Sequence, residues 1–173
     1  MIQHYKILDK YHNFSKETKI LEIGIWEAES TKYIMQNYLT HADSILEAVD
    51  IRIQEVAFEA VWELPEYERT TLIETSSDNF FDVLNDETYD VIIIDGDHLY
   101  PQVLRDGLNA SKVLEDNGIL VFDDVQLHKI PKYKDSGVKR ALQELEQQWD
   151  LESLLDSKNN TIWTNVNVYR NTK

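Results

Sequence analysis

Four consecutive residues, Val91-Ile92-Ile93-Ile94, are apolar at every position, so a strand formed by them must be buried on both faces. A parallel sheet covered by helices on both sides provides that environment, which places the chain among α/β folds. The run stops abruptly at Asp95-Gly96-Asp97-His98. Polar, ionisable residues therefore occupy the carboxyl end of a central strand, the end at which open α/β sheets bind their ligands.

The remaining segments supply the other layers. Lys19–Ile23 (KILEI) is a compact apolar run that stops at Gly24, and Ser30–Leu39 continues with Ile34, Met35, Tyr38 and Leu39 at helical spacing. Ile45–Ile51, containing Asp50, predicts a second strand, and Ile53–Leu64 a helix closed by Pro65. Thr70–Ile73 predicts a third strand, leading into the polar turn Thr75-Ser76-Ser77-Asp78. After the central strand, Val103, Leu104, Leu108, Val113 and Leu114 predict a helix ending at Asn117-Gly118, followed by a fifth strand over Ile119–Phe122 and a helix over Ser136–Trp149. The tail, Leu151–Leu155 and Thr161–Tyr169, reads as a strand pair joined through Asn159-Asn160. Together these give a single-domain, doubly wound α/β sheet of seven strands, mostly parallel with an antiparallel C-terminal strand. Residues 1–18 form an N-terminal helical segment and residues 19–173 the α/β core.

Composition narrows the function classes. In 173 residues the chain carries 17 Lys+Arg against 32 Asp+Glu, a formal net charge of -15. Such a surface repels nucleic acid and anionic membrane and suits a cation. With no cysteine there is no disulfide framework; the start is not expected to be a signal segment, and no apolar run of about 18 residues occurs in the sequence. The expectation is a soluble cytoplasmic protein with no nucleic-acid or membrane partner.

Two constellations carry chemistry. The first is Leu21-Glu22-Ile23-Gly24-Ile25-Trp26-Glu27-Ala28-Glu29-Ser30, where Gly24 permits close backbone approach and the following helix offers free N–H groups. It lacks the GxGxxG pattern of a pyrophosphate cradle. Asp50, at the end of the second strand, stands where a carboxylate grips a ribose diol, and with Thr75-Ser76-Ser77 it outlines a nucleoside pocket without a phosphate requirement. A tight turn that simply needs a glycine is the alternative. Here the sequence resembles the class I S-adenosylmethionine-dependent methyltransferases, whose first motif, (D/E)xGxxxGxS, is matched by Glu22, Gly24 and Ser30, with Ala28 at the second glycine.

The second constellation is Asp95-Gly96-Asp97-His98-Leu99-Tyr100 together with Asp123-Asp124, which end adjacent strands about 4.8 Å apart. Carboxylates gathered this closely repel one another unless protonated or bridged by a metal, and oxygen donors without cysteine point to Mg²⁺, Mn²⁺ or Ca²⁺. Helix capping by strand-end acids is the alternative. The segment resembles the divalent-metal-dependent O-methyltransferases of the catechol and macrolide-sugar type, with their IDGDHxY signature.

That resemblance implies a Rossmann-like methyltransferase fold and a full set of roles. Asp95, Asp123 and Asp124 would be the metal ligands and His98 the catalytic base. Glu22, Gly24, Ser30, Asp50, Ser76 and Asp95 would bind the cofactor S-adenosyl-L-methionine. Of the family's Gly-Asp-Ser on the adenine side, which reads Glu74-Thr75-Ser76 here, only the serine is retained. The expected reaction is divalent-metal-dependent O-methylation of a small hydroxylated acceptor or a glycan, with the N-terminal helix or the second subunit of a homodimer closing the site. From the residues themselves, Trp26 either lines the substrate side or packs in the core, and the loop Val125–Gly137 either lies over the substrate or is a solvated loop. A metal-independent methyltransferase and a non-catalytic binding module of the same fold remain the alternatives.

Overall fold

A computed structural model describes residues 3–155 and 165–173. Seven strands, β1 (Lys19–Ile23), β2 (Ile45–Asp50), β3 (Thr70–Glu74), β4 (Tyr89–Ile94), β5 (Leu114–Phe122), β6 (Glu152–Leu155) and β7 (Asn167–Arg170), form one sheet in the order β3-β2-β1-β4-β5-β7-β6. β1 to β5 run parallel, and β7 lies antiparallel to both of its neighbours. The helices are α1 (Glu29–Tyr38), α2 (Glu55–Trp62), α3 (Ser77–Val83), α4 (Tyr100–Ala110) and α5 (Val138–Gln148). Residues Gln3–Lys10 of the N-terminal segment form a 3₁₀ helix. No helix among the described residues is long and apolar enough to cross a membrane.

The doubly buried strand is where its composition puts it, in the middle. Val91 and Ile93 face a core with Tyr5, Leu8, Ile34, Met35 and Tyr38, while Ile92 and Ile94 face another with Val103, Leu142 and Leu145. Alternation along parallel strands then fixes where the strand-end acids point. Ile20, Val91, Ile93, Ile119 and Val121 belong to the first core, so Glu22, Asp95 and Asp123, each two residues beyond one of them, fall on that same face, beneath the N-terminal 3₁₀ helix.

Three segments differ from the sequence reading. α4 stops at Ala110, and Val113 and Leu114 lead into β5 instead of ending the helix. Asn117-Gly118 is not a helix stop: it sits inside β5, where Asn117 takes φ 63°, and the pairing to β4 shifts register between Tyr89 and Val91. Asn171 holds this irregular stretch, its backbone exchanging hydrogen bonds with Asn117 and Gly118. The polar turn after β3 opens the additional helix α3, which Ser76 caps by accepting a hydrogen bond from the Asn79 amide. The Asn159-Asn160 turn and Thr161–Thr164 lie outside the described residues.

Gly24 links β1 to β4 at the ligand end. Its φ is 101°, and a Cβ there would stand 2.3 Å from the carbonyl oxygen of Asp95. Gly24→Ala is therefore expected to cost about 2–5 kcal/mol, from backbone strain and from displacement of the Asp95 peptide. A urea midpoint within error of the wild type would show that the two turns are not locked together.

Candidate active site

The carboxyl ends of β1, β2, β4 and β5 open into a cavity of about 800 Å³. Its lining includes Gly24, Ser30, Asp50, Ser76, Asp95, His98, Asp123 and Asp124, so all but one of the residues singled out in the sequence meet there. The exception is Glu22, fully buried in the floor. Two sides share the cavity, one at the ends of β1–β3 around the Gly24 turn and Asp50 and an acidic one at β4–β5.

On the first side the turn after β1 is unusually contorted. Trp26 and Ala28 adopt φ 47° and 60°, left-handed values that side chains other than glycine rarely take, and Ala28 is completely buried as the residue preceding α1. Asp50 holds this turn. One carboxylate oxygen accepts from the Ile25 and Trp26 amides at 2.8 and 3.2 Å, and the other accepts from Arg52 at 2.9 Å. The carboxylate thus keeps its place at the pocket wall before any ligand arrives. Trp26 is 67% exposed over the cavity mouth, which makes it a lining residue and not a core one.

Farther along this wall, α4 contributes residues that the sequence motifs did not flag. The Gln102 amide donates to Ser77, Asp78 and Asp106, and Asp106 is buried, its carboxyl pushed up by burial while Ser77 and Gln102 work against the shift. Their helical spacing, four residues apart on the face turned to α3, was the available signal.

Glu22 has an unusual environment. Both carboxyl oxygens are shielded from water, and neither closes a well-aligned hydrogen bond, although Ser30 and Thr31 stand beside it. Burial pushes its pKa up to about 7; the nearby hydroxyls oppose this, and the charges of Asp50 and Asp123 add to it.

On the acidic side, Tyr5 is the residue that sequence reasoning missed. It is buried in the N-terminal 3₁₀ helix, and its hydroxyl donates to Asp95 Oδ2 at 3.3 Å with Asp123 beside it. Burial and the neighbouring carboxylates hold its phenol far above the ordinary range, so it remains a donor. Burial, then the charges of Asp123, Asp124 and Glu22, likewise hold the Asp95 carboxyl well above the usual carboxylate range, against the pull of Tyr5.

Asp124 is bent out of the strand by a φ of 56° and reaches across to His98, whose Nε2 lies 2.9 Å from Oδ2. The contact lies off the line of an ideal hydrogen bond and becomes an ion pair when the imidazole is protonated. It raises the proton affinity of the imidazole, burial opposing it. Asn165 donates to the other carboxylate oxygen of Asp124. Asp95, His98 and Asp124 present donor atoms within 4.8 Å of one another, an arrangement able to hold a metal ion. Asp123, expected to be the third ligand, is not in this group: it is turned toward Tyr5 and accepts from the amide of Asp124.

Two variants check this wiring. Glu22 binds its proton more tightly folded than unfolded, so its contribution to stability is complete below about pH 4.5 and is lost as pH rises through about 7. Glu22→Gln should gain on the wild type across that window, by about 3 kcal/mol at pH 8, measured as urea midpoints at several pH values. A difference that stays constant with pH would refute the assignment. Tyr5→Phe keeps the ring and removes the donor, and is expected to lower stability by about 1–3 kcal/mol; unchanged thermal unfolding would mean that Asp95 and Asp123 do not need the hydroxyl.

Comparison with known proteins agrees with the geometry. A family model described as a methyltransferase domain matches residues 21–125, from β1 to just past Asp124. No curated protein matches in sequence. Among solved structures, cofactor-bound Rv0187 from MTB superposes with a TM-score of 0.78 at 16% identity, covering 100% of this chain and 81% of that one. The O-methyltransferase TomG from Streptomyces achromogenes, in complex with SAM, gives 0.71 at 17% identity, with 98% and 78% covered. The N-methyltransferase NodS from Bradyrhizobium japonicum WM9 gives 0.67 at 17%, with 99% and 95% covered. At these identities the structures share the fold, while the family match spans the segment carrying Gly24, Asp50, Asp95 and Asp123-Asp124, and the chain belongs to the methyltransferase-domain family, within the class I S-adenosylmethionine-dependent enzymes that its first motif resembles.

Proposed function

We propose that this methyltransferase transfers the sulfonium methyl of S-adenosylmethionine to a hydroxyl of a small hydroxylated acceptor or sugar, with a divalent ion at the acidic side. The observation that carries the reading is the meeting of Asp95, His98 and Asp124 at the strand ends, in the same cavity as the Gly24 turn and Asp50. The nucleoside belongs against Gly24, Asp50 and Ser76, and the carboxyls of buried Glu22 and half-buried Asp95 favour a positively charged group above them.

The donor chemistry fits a divalent cation. Asp95 and Asp124 lie close enough to share an ion, and their oxygen donors suit Mg²⁺, Mn²⁺ or Ca²⁺, which leaves the imidazole of His98 free for proton transfer. Asp95 and Asp124 would hold it, with Asp123 behind them. The chemistry such an ion would supply is to lower the pKa of the acceptor hydroxyl.

His98 then has a defined task. Its Nε2 stands at the cavity wall beside Asp124, whose charge strengthens it as a base, so it takes the acceptor proton as the oxygen attacks. Leu127 and Tyr133 complete the acceptor end and limit water there.

Calorimetric titration with S-adenosylmethionine tests the cofactor, and labelled methyl transfer to catechols and sugars in Mn²⁺, Mg²⁺ or EDTA tests the chemistry. Transfer should vanish in EDTA, and His98→Ala should lower kcat by about 10²–10⁴ with cofactor affinity retained. Full turnover in EDTA would remove the ion from the reaction, and full turnover by His98→Ala would remove the base. Absence of cofactor binding would refute the whole reading.

A further inference from the structure

α2 wears its amphipathicity inside out. The residues it buries are the small ones, Ala57 and Val61, while Val56, Phe58 and Trp62 are 49%, 53% and 60% exposed. The exposed rings are not scattered. Phe58 stacks on Trp62, with ring centroids 5.9 Å apart and 21° between planes, and Trp62 leans on Tyr67 of the following turn at 4.8 Å. Three aromatic side chains thus form a continuous ladder in water, on a helix whose first turn follows directly on Ile51, Arg52 and Gln54 at the cavity wall. A contiguous exposed aromatic surface of this kind is what protein–protein contacts are built on.

Charge identifies what covers it. From Ile53 to Glu68 the chain has five acids, Glu55, Glu59, Glu63, Glu66 and Glu68, and no Lys or Arg. Arg69, next in line, is turned inward and donates to the carbonyls of Leu39, His41 and Ser44. A second copy of this chain would bring the same carboxylates against these, so self-association through this face is opposed. We propose that the Phe58–Trp62–Tyr67 ladder is a docking surface for a cationic amphipathic polypeptide segment, its apolar side chains seated on the rings and its lysines or arginines paired with the surrounding glutamates. Aromatic anchors provide the affinity, and the glutamate frame selects the sign of the partner and hastens encounter.

The proposal is independent of the reaction at the strand ends and is tested without it. The probe is a labelled helical peptide of about fourteen leucines and lysines, with a leucine–glutamate peptide of the same pattern as control, and anisotropy is read on the full chain. Saturable binding of the lysine peptide is expected, none of the glutamate peptide, and a loss of about tenfold or more in Trp62→Ala and Phe58→Ala. Both side chains are exposed, so these variants should keep the wild-type melting temperature; Glu59→Lys, which leaves the rings intact, should weaken binding several-fold. Equal binding by wild type, Trp62→Ala and Phe58→Ala would overturn the proposal. So would sedimentation of the wild type as a dimer that Trp62→Ala converts to monomer, which would make a second copy the occupant.

Discussion

Everything at the ligand end depends on β4 having no solvent face. Because Val91–Ile94 are covered on both sides, the strand must be threaded between its parallel neighbours with little freedom of register, and its first polar residue, Asp95, emerges at a fixed height. The same pleat that buries Val91 and Ile93 beneath the N-terminal 3₁₀ helix sends Asp95 the same way, while neighbouring strands bring Glu22 and Asp123 alongside. A concentration of carboxyls that costs free energy is thus imposed by hydrophobic register; it raises the proton affinity of Glu22 and Asp95 and is relieved by the Tyr5 hydroxyl and the Asp124–His98 contact. The Gly24 turn and the acidic side are coupled through backbone at the place where Gly24 lies against the Asp95 carbonyl.

Much of this was legible in the sequence because it is local. Apolar runs, their polar stops and the spacing between them locate β1, β2, β4 and the candidate residues at their ends. What escaped is of two kinds. Val113-Leu114 repeats the adjacent apolar pair Val103-Leu104, and such a pair after a helix is equally compatible with another turn or with a strand; pairing with β4 decides the matter, and only the assembled sheet supplies it. Tyr5 is the other kind. It meets Asp95 from 90 positions away, and nothing in its own neighbourhood distinguishes it from Tyr11 or Tyr33.

The net charge of -15 also divides once the structure is known. Glu22, Asp95 and Asp123 are drawn inward by strand pleat, Asp50 and Asp124 are spent on the two turns that frame the cavity, and a separate group along α2 frames exposed rings. The same residue type thus does different work according to its depth, and overall charge is a poor guide to any of it.

β7 has a consequence for how the molecule is made. It lies between β5 and β6, so β6 reaches the sheet only through a strand that is synthesised after it. Until residues 167–170 have left the ribosome and inserted, the outer edge of β5 is an unfilled template, its backbone groups available to any passing strand. The order of synthesis and the order of the sheet run against each other at this edge, and the nascent chain stays vulnerable to mispairing until β7 is in place.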